Sequence, residues 1–220
     1  MTPPVLRVEE AAARVRELAR AAAASDTRFI LGLVGAPGIG KSTLAEHLVA
    51  QAAEEAATGL FTMDGFHLAH QVLSLRGDVA RKGAPETFDS AGFVALLRRL
   101  RARDEAMVWA PDYQRDLHNA VAAAVSVPRS LPFLVTEGNY LLLGDGAWAG
   151  VRGLLDEVWY VEGDEDLRVQ RLAERHVRHG RTPEAALDRA LTGVDAENAA
   201  LVKATRDRAD VVVDVSGWES

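Results

Sequence analysis

The segment Gly35-Ala36-Pro37-Gly38-Ile39-Gly40-Lys41-Ser42 constrains this chain more than any other stretch, because it matches the pattern G-x-x-x-x-G-K-[ST] in full. The pattern carries weight only between a strand and a helix, and that context is present. The β-prone run Phe29-Ile30-Leu31-Gly32-Leu33-Val34 leads in, and the helix-compatible Thr43-Leu44-Ala45-Glu46-His47-Leu48-Val49 leads out. Glycines let successive backbone N–H groups converge on phosphate oxygens, and the positive end of the following helix adds to the attraction. Lys41 is expected at the β- and γ-phosphates and the Ser42 hydroxyl on Mg²⁺. The bland alternative is a glycine-rich turn that binds nothing, and the complete match in the right context argues against it. A nucleoside triphosphate is the expected ligand.

Composition bounds the rest. With 220 residues, 48% of them hydrophobic, one α/β domain can bury a substantial core. No cysteine occurs, which excludes disulfides and thiolate chemistry and suits a cytoplasmic location. No apolar run reaches membrane-spanning length, and no signal-like pattern opens the chain. A net charge of −7 argues against nucleic acid as a partner. The expected partner is therefore a small molecule, neither nucleic acid nor membrane, with a homodimer left open.

Along the chain, strands and helices alternate without repeats. A helix is expected over about Glu9 to Ala24, then the strand and loop above, then a helix to about Ala57. Leu60-Phe61-Thr62-Met63 reads as a second strand. Asp89 reads as the N-cap of a helix through about Arg101, with Phe93, Leu96, Leu97 and Leu100 at helical spacing. Met107-Val108-Trp109-Ala110 reads as a third strand stopped by Pro111. Phe133 to Thr136, Val158 to Val161 and Ala209 to Asp214 supply the remaining strands. A charged helix is expected from Glu165 to Arg178, ended by Gly180, with Thr182 and Pro183 opening the next. Such alternation predicts a mainly parallel sheet covered on both faces, with ligands at the strands' carboxyl ends. No linker divides the chain, so one domain is expected.

Two acids fall at predicted strand ends. Asp64 follows the second strand, where it can face the γ-phosphate and accept a proton from an acceptor hydroxyl, or simply begin a turn before Gly65. Glu137 ends the fourth strand, where it can hold Mg²⁺ directly or through water, or again be a plain strand-end acid. Arg168, Arg171, Arg175 and Arg178 form one helical stripe. Arg168 reads as part of a solvated face paired with Glu165 and Glu174. Arg171 and Arg175 read better as a mobile lid that closes over a polyphosphate.

These residues resemble a known family. Asp64-Gly65-Phe66-His67, Leu73-Ser74-Leu75-Arg76-Gly77 and Arg81-Lys82-Gly83-Ala84-Pro85-Glu86-Thr87-Phe88-Asp89 are similar to the block of the bacterial-type pantothenate kinases. Glu137-Gly138-Asn139-Tyr140-Leu141-Leu142 is similar to the segment shared with uridine kinases and phosphoribulokinases. Asn198 and Thr205-Arg206-Asp207-Arg208-Ala209-Asp210 extend the likeness to the last strand. The resemblance implies a P-loop three-layer sandwich with a five-stranded parallel core and a helical lid. It also implies ATP with Mg²⁺ and phosphoryl transfer to a primary hydroxyl. Asp64 inherits the base role, Glu137 the metal-side acid, and Arg171 and Arg175 the lid.

The chain departs from that pattern where the acceptor would sit. Only about one helix precedes the phosphate loop, Gly-Phe-Pro-Glu becomes Gly83-Ala84-Pro85-Glu86, and Tyr-Ser-His becomes Tyr113-Gln114-Arg115. The uridine-kinase set is half met, by Pro111, Tyr113 and His118, with Gln114 in place of Asp. Asp64, His67, Arg81, Tyr113, Arg115, His118, Asn139 and Tyr140 are the candidate acceptor contacts. Arg81 equally suits surface pairing with Glu86 and Asp89, Tyr140 before three leucines equally suits the core, and His118 equally suits the surface. Histidine ligation of a metal is not expected, since the six histidines show no paired ligand spacing. Acceptors left open are a sugar, a nucleoside or a pantothenate-like alcohol. The alternative class, a nucleotide-hydrolysing switch or assembly factor, calls for a guanine-specificity element such as Asn-Lys-x-Asp, which the sequence lacks.

Overall fold

Side chains alternate faces along a strand, and here both faces are apolar, so each strand is built to be covered on two sides. Along β2 (Phe29–Val34), Ile30 and Val34 join one core cluster while Leu31 and Leu33 join the other. Along β7 (Glu157–Glu162), Val158 and Tyr160 go one way, Trp159 and Val161 the other. In this computed structural model, which describes residues 2–114 and 116–218, the result is a helix–sheet–helix sandwich.

The elements follow in the order β1 (Val5–Arg7), α1 (Val8–Ala23), β2, α2 (Lys41–Ala53), β3 (Thr58–Thr62), α3 (His70–Arg76), α4 (Ser90–Ala102), β4 (Met107–Gln114), β5 (Asn119–Pro128), β6 (Phe133–Glu137), β7, α5 (Glu165–Arg178), α6 (Pro183–Leu191), α7 (Val194–Lys203) and β8 (Val211–Asp214), with short 3-10 turns between. Six strands make one parallel sheet in the order β1-β8-β7-β2-β6-β3. Helices α1 and α2 cover one face; their alanines Ala11, Ala12, Ala19, Ala45 and Ala52 are all buried. Helix α4, with Phe93, Leu96, Leu97 and Leu100 inward, covers the other beside Trp148 and Val151.

The expected five-stranded core is present, and a sixth strand joins its edge: Val5–Arg7 pairs with β8. The expected strand Met107–Ala110 does not enter this sheet. It is the first half of β4, which forms a separate antiparallel hairpin with β5. Pro111 does not stop the strand, because the register shifts between Ala110 and Asp112, and a bulge has no ladder bond for the missing N–H to lose. Asp89 caps α4 as expected, its Oδ1 accepting from Gly92 N at 2.8 Å. Helix α5 has the expected limits, Gly180 takes φ +91° beyond it, and Thr182 caps α6. Among the described residues no helix is long and apolar enough to cross a membrane.

Candidate active site

Strand pairing alone gathers the acids. β2, β6 and β3 are adjacent, and Leu33, Glu137 and Thr62 stand in register. The chain leaving β2 becomes the phosphate loop, the chain leaving β3 turns into a 3-10 segment holding Asp64, and β6 ends on Glu137 itself. All three therefore meet at one carboxyl edge, where a doubly covered sheet opens its ligand crevice.

The loop from Gly35 through Ala36, Pro37, Gly38, Ile39 and Gly40 turns tightly, with Ile39 N donating to Ala36 O at 3.2 Å. Gly38 and Gly40 sit at φ +84° and +104°, a region that side chains resist, which explains glycine at both. Lys41 starts α2 with its side chain folded over the loop, Nζ donating to Ala36 O at 3.1 Å and to Asn139 Oδ1 at 2.7 Å. Burial pulls its ammonium below the ordinary lysine range, opposed by Glu137 and Asp64. A polyphosphate would supply the counter-charge that favours the protonated form. Ser42 Oγ donates to Glu137 Oε1 at 3.1 Å, while Ser42 and Thr43 stay exposed at the first turn. A hydroxyl touching a carboxylate beside a phosphate cradle fits Mg²⁺, which takes few protein ligands and completes its shell with water and phosphate oxygens. Among the described residues no group of three or more His, Asp or Glu suited to a metal forms.

Across the cleft, Gly65 lets the hairpin come close: a Cβ there would lie 2.3 Å from Pro111 O. That approach sets the Tyr113 ring of β4 tilted against His67, ring centroids 4.9 Å apart, with Phe88 tilted against His67 at 4.0 Å as well. His67 Nδ1 lies 2.8 Å from Asp64 O, and burial holds the imidazole below its ordinary range despite the nearby Asp64 carboxylate. The Asp64 side chain is about half exposed, 45%, so it faces the cleft rather than the core. Lys82 Nζ sits 5.1 Å over the Tyr113 ring and donates to His118 O at 2.7 Å.

Helix α5 behaves differently from its sequence reading at one position. Arg168 pairs with Glu165, yet it is 3% exposed and its Nη1 donates to Pro37 O at 2.9 Å. It braces the phosphate loop instead of facing solvent. Arg171 places Nη1 4.0 Å from the position of a Gly40 Cβ, at the mouth of the loop. Arg175 is half-buried and acts electrostatically on both Lys41 and His67. Arg178 and Arg181 are exposed. A cavity of about 580 Å³ opens beside Ala36 and Ile39, walled by Arg168, Lys203, Arg206 and Ser216.

Three candidate acceptor contacts are placed elsewhere. Tyr140 is fully buried against Phe88 and Trp148, its hydroxyl donating to Gly83 O and its pKa raised by burial; it is a core residue that fixes the Gly83 loop. Arg81 is exposed and engaged by Glu86 and Glu197; the pairing with Asp89 does not form, since that side chain caps α4. His118 is exposed at the hairpin turn with φ +50° and offers its carbonyl to Lys82. Arg115 lies outside the described residues. Asn139 does reach the site, on Lys41. Spacing reads Arg168 as a solvated residue and ranks Lys82 below Arg81 as an acceptor contact, whereas Arg168 braces the phosphate loop and it is Lys82 that lies over Tyr113. A buried arginine gives no spacing signal, and Lys82 acquires its place only when the hairpin folds over it.

No protein-family model matches the chain. A 131-residue stretch is 36% identical to an ATP-dependent kinase-like protein, notR', of Aspergillus versicolor, covering 56% of this chain and 76% of that one. This chain belongs to a family of P-loop kinases that includes ATP-dependent kinase-like and uridine kinase-like proteins. A protein of Schizosaccharomyces pombe, provisionally described as a uridine kinase, is 31% identical over 172 residues, covering 74% of this chain and 73% of that one. The solved structure of a Silicibacter protein, provisionally described as a fructose transport system kinase, superposes with TM-score 0.79 and 33% identity, covering 90% of this chain and 98% of that one. The match to the pantothenate kinase of Sorangium cellulosum, 32% identical, spans only 46% of that enzyme. The P-loop kinase fold and its phosphotransferase chemistry on small molecules are thus common to this chain and its relatives.

Proposed function

We propose that this kinase uses ATP and Mg²⁺ to phosphorylate a hydroxyl group of a small molecule. The observation that carries the reading is the register of Leu33, Glu137 and Thr62, which sets two acids from neighbouring strands beside a complete phosphate loop. Lys41 and the loop amides from Gly35 to Lys41 hold the polyphosphate, and the cavity beside Ile39 receives the base. Mg²⁺ held by Ser42 and Glu137 would neutralise charge on the β- and γ-phosphate oxygens. Asp64 accepts the proton of the acceptor hydroxyl, which lies in the cleft between Asp64, His67, Tyr113, Lys82 and Asn139. Arg171 and Arg175 close over the transferring group, neutralise its charge and exclude water, which limits hydrolysis.

The acceptor follows from testing, and the relatives' descriptions supply the panel. ADP release with Mg·ATP, measured against pantothenate, uridine, fructose and related alcohols, should rise well above the rate without acceptor for at least one of them. ADP release that is slow, indifferent to every alcohol tested and accompanied by a nucleotide-dependent conformational change would favour the switch over the kinase.

A further inference from the structure

Helices α5, α6 and α7 meet at a buried carboxylate that the phosphoryl-transfer reading does not use. Asp195, at the start of α7, is 6% exposed. His176 of α5 places Nε2 2.6 Å from its Oδ2, and Arg189 of α6 places Nε 3.2 Å from the same oxygen. Burial works to raise the Asp195 pKa, but the His176 hydrogen bond and the charges of Arg189, His176 and Arg175 hold it below the usual carboxylate range. The carboxylate is therefore a charged junction of three helices, held by a hydrogen bond with His176 and an ion pair with Arg189.

Arg189 then reaches out of the junction. Its Nη1 donates to Ala80 O at 3.1 Å and its Nη2 to Lys82 O at 2.8 Å. The next carbonyl, Gly83 O, accepts from Asn198 of α7 at 3.1 Å and from Tyr140. The loop is thus gripped through its backbone by the helices that carry the junction. Its Lys82 side chain lies over Tyr113, whose ring packs tilted against His67 beside Asp64. On the far side of the junction, His176 is the immediate neighbour of Arg175, which acts on Lys41 at the phosphate loop.

We infer that Asp195 is a positioning residue that couples the nucleotide side of the cleft to the acceptor side. Nucleotide engages Arg171 and Arg175 and settles α5; the His176–Asp195–Arg189 chain transmits that to the Ala80–Gly83 backbone and so to Lys82, Tyr113 and His67. The His176–Asp195 hydrogen bond, the Asp195–Arg189 ion pair and the Arg189 bonds to the Ala80 and Lys82 carbonyls carry such a shift because each link has a defined geometry to keep or lose. The inference rests on the reading of Arg171 and Arg175 as nucleotide ligands.

Amide hydrogen exchange with Mg·AMP-PNP as the probe tests it without knowledge of the acceptor. In the unmodified protein the nucleotide analogue should slow exchange at residues 35–44, where it binds, and also by about tenfold at residues 79–84, which it does not touch. In Asp195→Asn the effect at 35–44 should persist while the effect at 79–84 falls below about twofold. A merely structural role would loosen 79–84 equally with and without nucleotide and leave their ratio unchanged. Should Asp195→Asn not fold, Arg189→Lys serves: it keeps the charge but cannot hold a carboxylate and two carbonyls together, and the same loss at 79–84 is expected. Protection at 35–44 with none at 79–84 in the unmodified protein overturns the coupling and leaves the nucleotide site standing. Undiminished protection at 79–84 in a folded variant also overturns it. Protection at neither segment removes the nucleotide reading and the coupling together.

Discussion

Arg168 Nη1 donates to Pro37 O at 2.9 Å, joining the helix after β7 to the turn after β2 across 131 positions of sequence. The guanidinium is almost wholly enclosed and its other nitrogens go to Glu165, so it is a brace for the phosphate loop and not a ligand. Hydrogen bonds to a charged group contribute about 1.5–3 kcal/mol, and removing one partner leaves the other unsatisfied. Arg168→Ala should therefore lower the melting temperature by about 5 °C and weaken nucleotide binding as the loop loosens. Arg168→Lys should recover little, because an ammonium cannot serve Pro37 and Glu165 in the same plane. Thermal denaturation with and without Mg·ATP checks both, and unchanged nucleotide stabilisation in Arg168→Ala would make the brace incidental.

At Lys41 the expected effect is kinetic. Its charge is buried and its hydrogen bonds go to Ala36 O and Asn139, so Lys41→Ala removes a desolvated ion as well as a contact, and the fold should survive. Loss of a point charge at the β- and γ-phosphates should cut kcat by about a hundredfold or more, about 3 kcal/mol. A folded Lys41→Ala protein with near-normal turnover would remove the phosphate-binding role.

Asp64 and Glu137 share an edge yet differ in neighbours. Glu137 touches the Ser42 hydroxyl, whereas Asp64 opens to the cleft beside His67. Asp64→Asn should abolish transfer while leaving Mg·ATP affinity within a few fold, and Glu137→Gln should raise the Mg²⁺ concentration needed for half-maximal rate. Titrations of Mg²⁺ and ATP on both variants decide it. Exchanged phenotypes would exchange the roles.

How legible the site was depends on what kind of contact makes it. The phosphate loop was readable because its function is local: a glycine pattern, a strand before and a helix after. The two acids were readable as strand-end residues once strands were placed. Tyr113 was noticed only through resemblance, and the hairpin that brings it to His67 was missed, because Ala120, Ala122, Ala123 and Ala124 give β5 little strand signal and Pro111 looked like a stop. Arg168 was misread for a different reason. Helical spacing shows which residues share a face, but not that the face packs against Pro37 from a distant part of the chain.

His67 gives a pH dependence with a definite sign. Burial lowers its pKa against the pull of Asp64, so folding favours the neutral imidazole. Above the unfolded value of about 6.5 both states are neutral and the stability is fully present. As pH falls below that value the unfolded chain takes up the proton first, and stability is lost until the lower folded value is passed. Urea denaturation at neutral and mildly acidic pH should show a steeper loss for the unmodified protein than for His67→Gln. Equal slopes would mean that the ring is charged or solvated in the native cleft.

Arg175 separates the lid from a structural stripe. It is half-buried beside Lys41, His67 and Asp195, and α5 ends at Gly180, whose positive φ provides a turn before the Thr182 cap. On the lid reading a guanidinium there would neutralise the transferring phosphoryl group only with α5 closed, and so would act in the transition state more than in the resting enzyme. Arg175→Ala should lower kcat by about a hundredfold, with a small change in melting temperature. Amide exchange across residues 165–182 should slow when Mg·ATP and acceptor are both present. An exposed surface arginine would be worth at most about 1 kcal/mol of stability and nothing in turnover. Unchanged kcat in Arg175→Ala, or exchange across α5 indifferent to ligands, would return this residue to a structural role and leave transition-state neutralisation to Lys41 and Arg171.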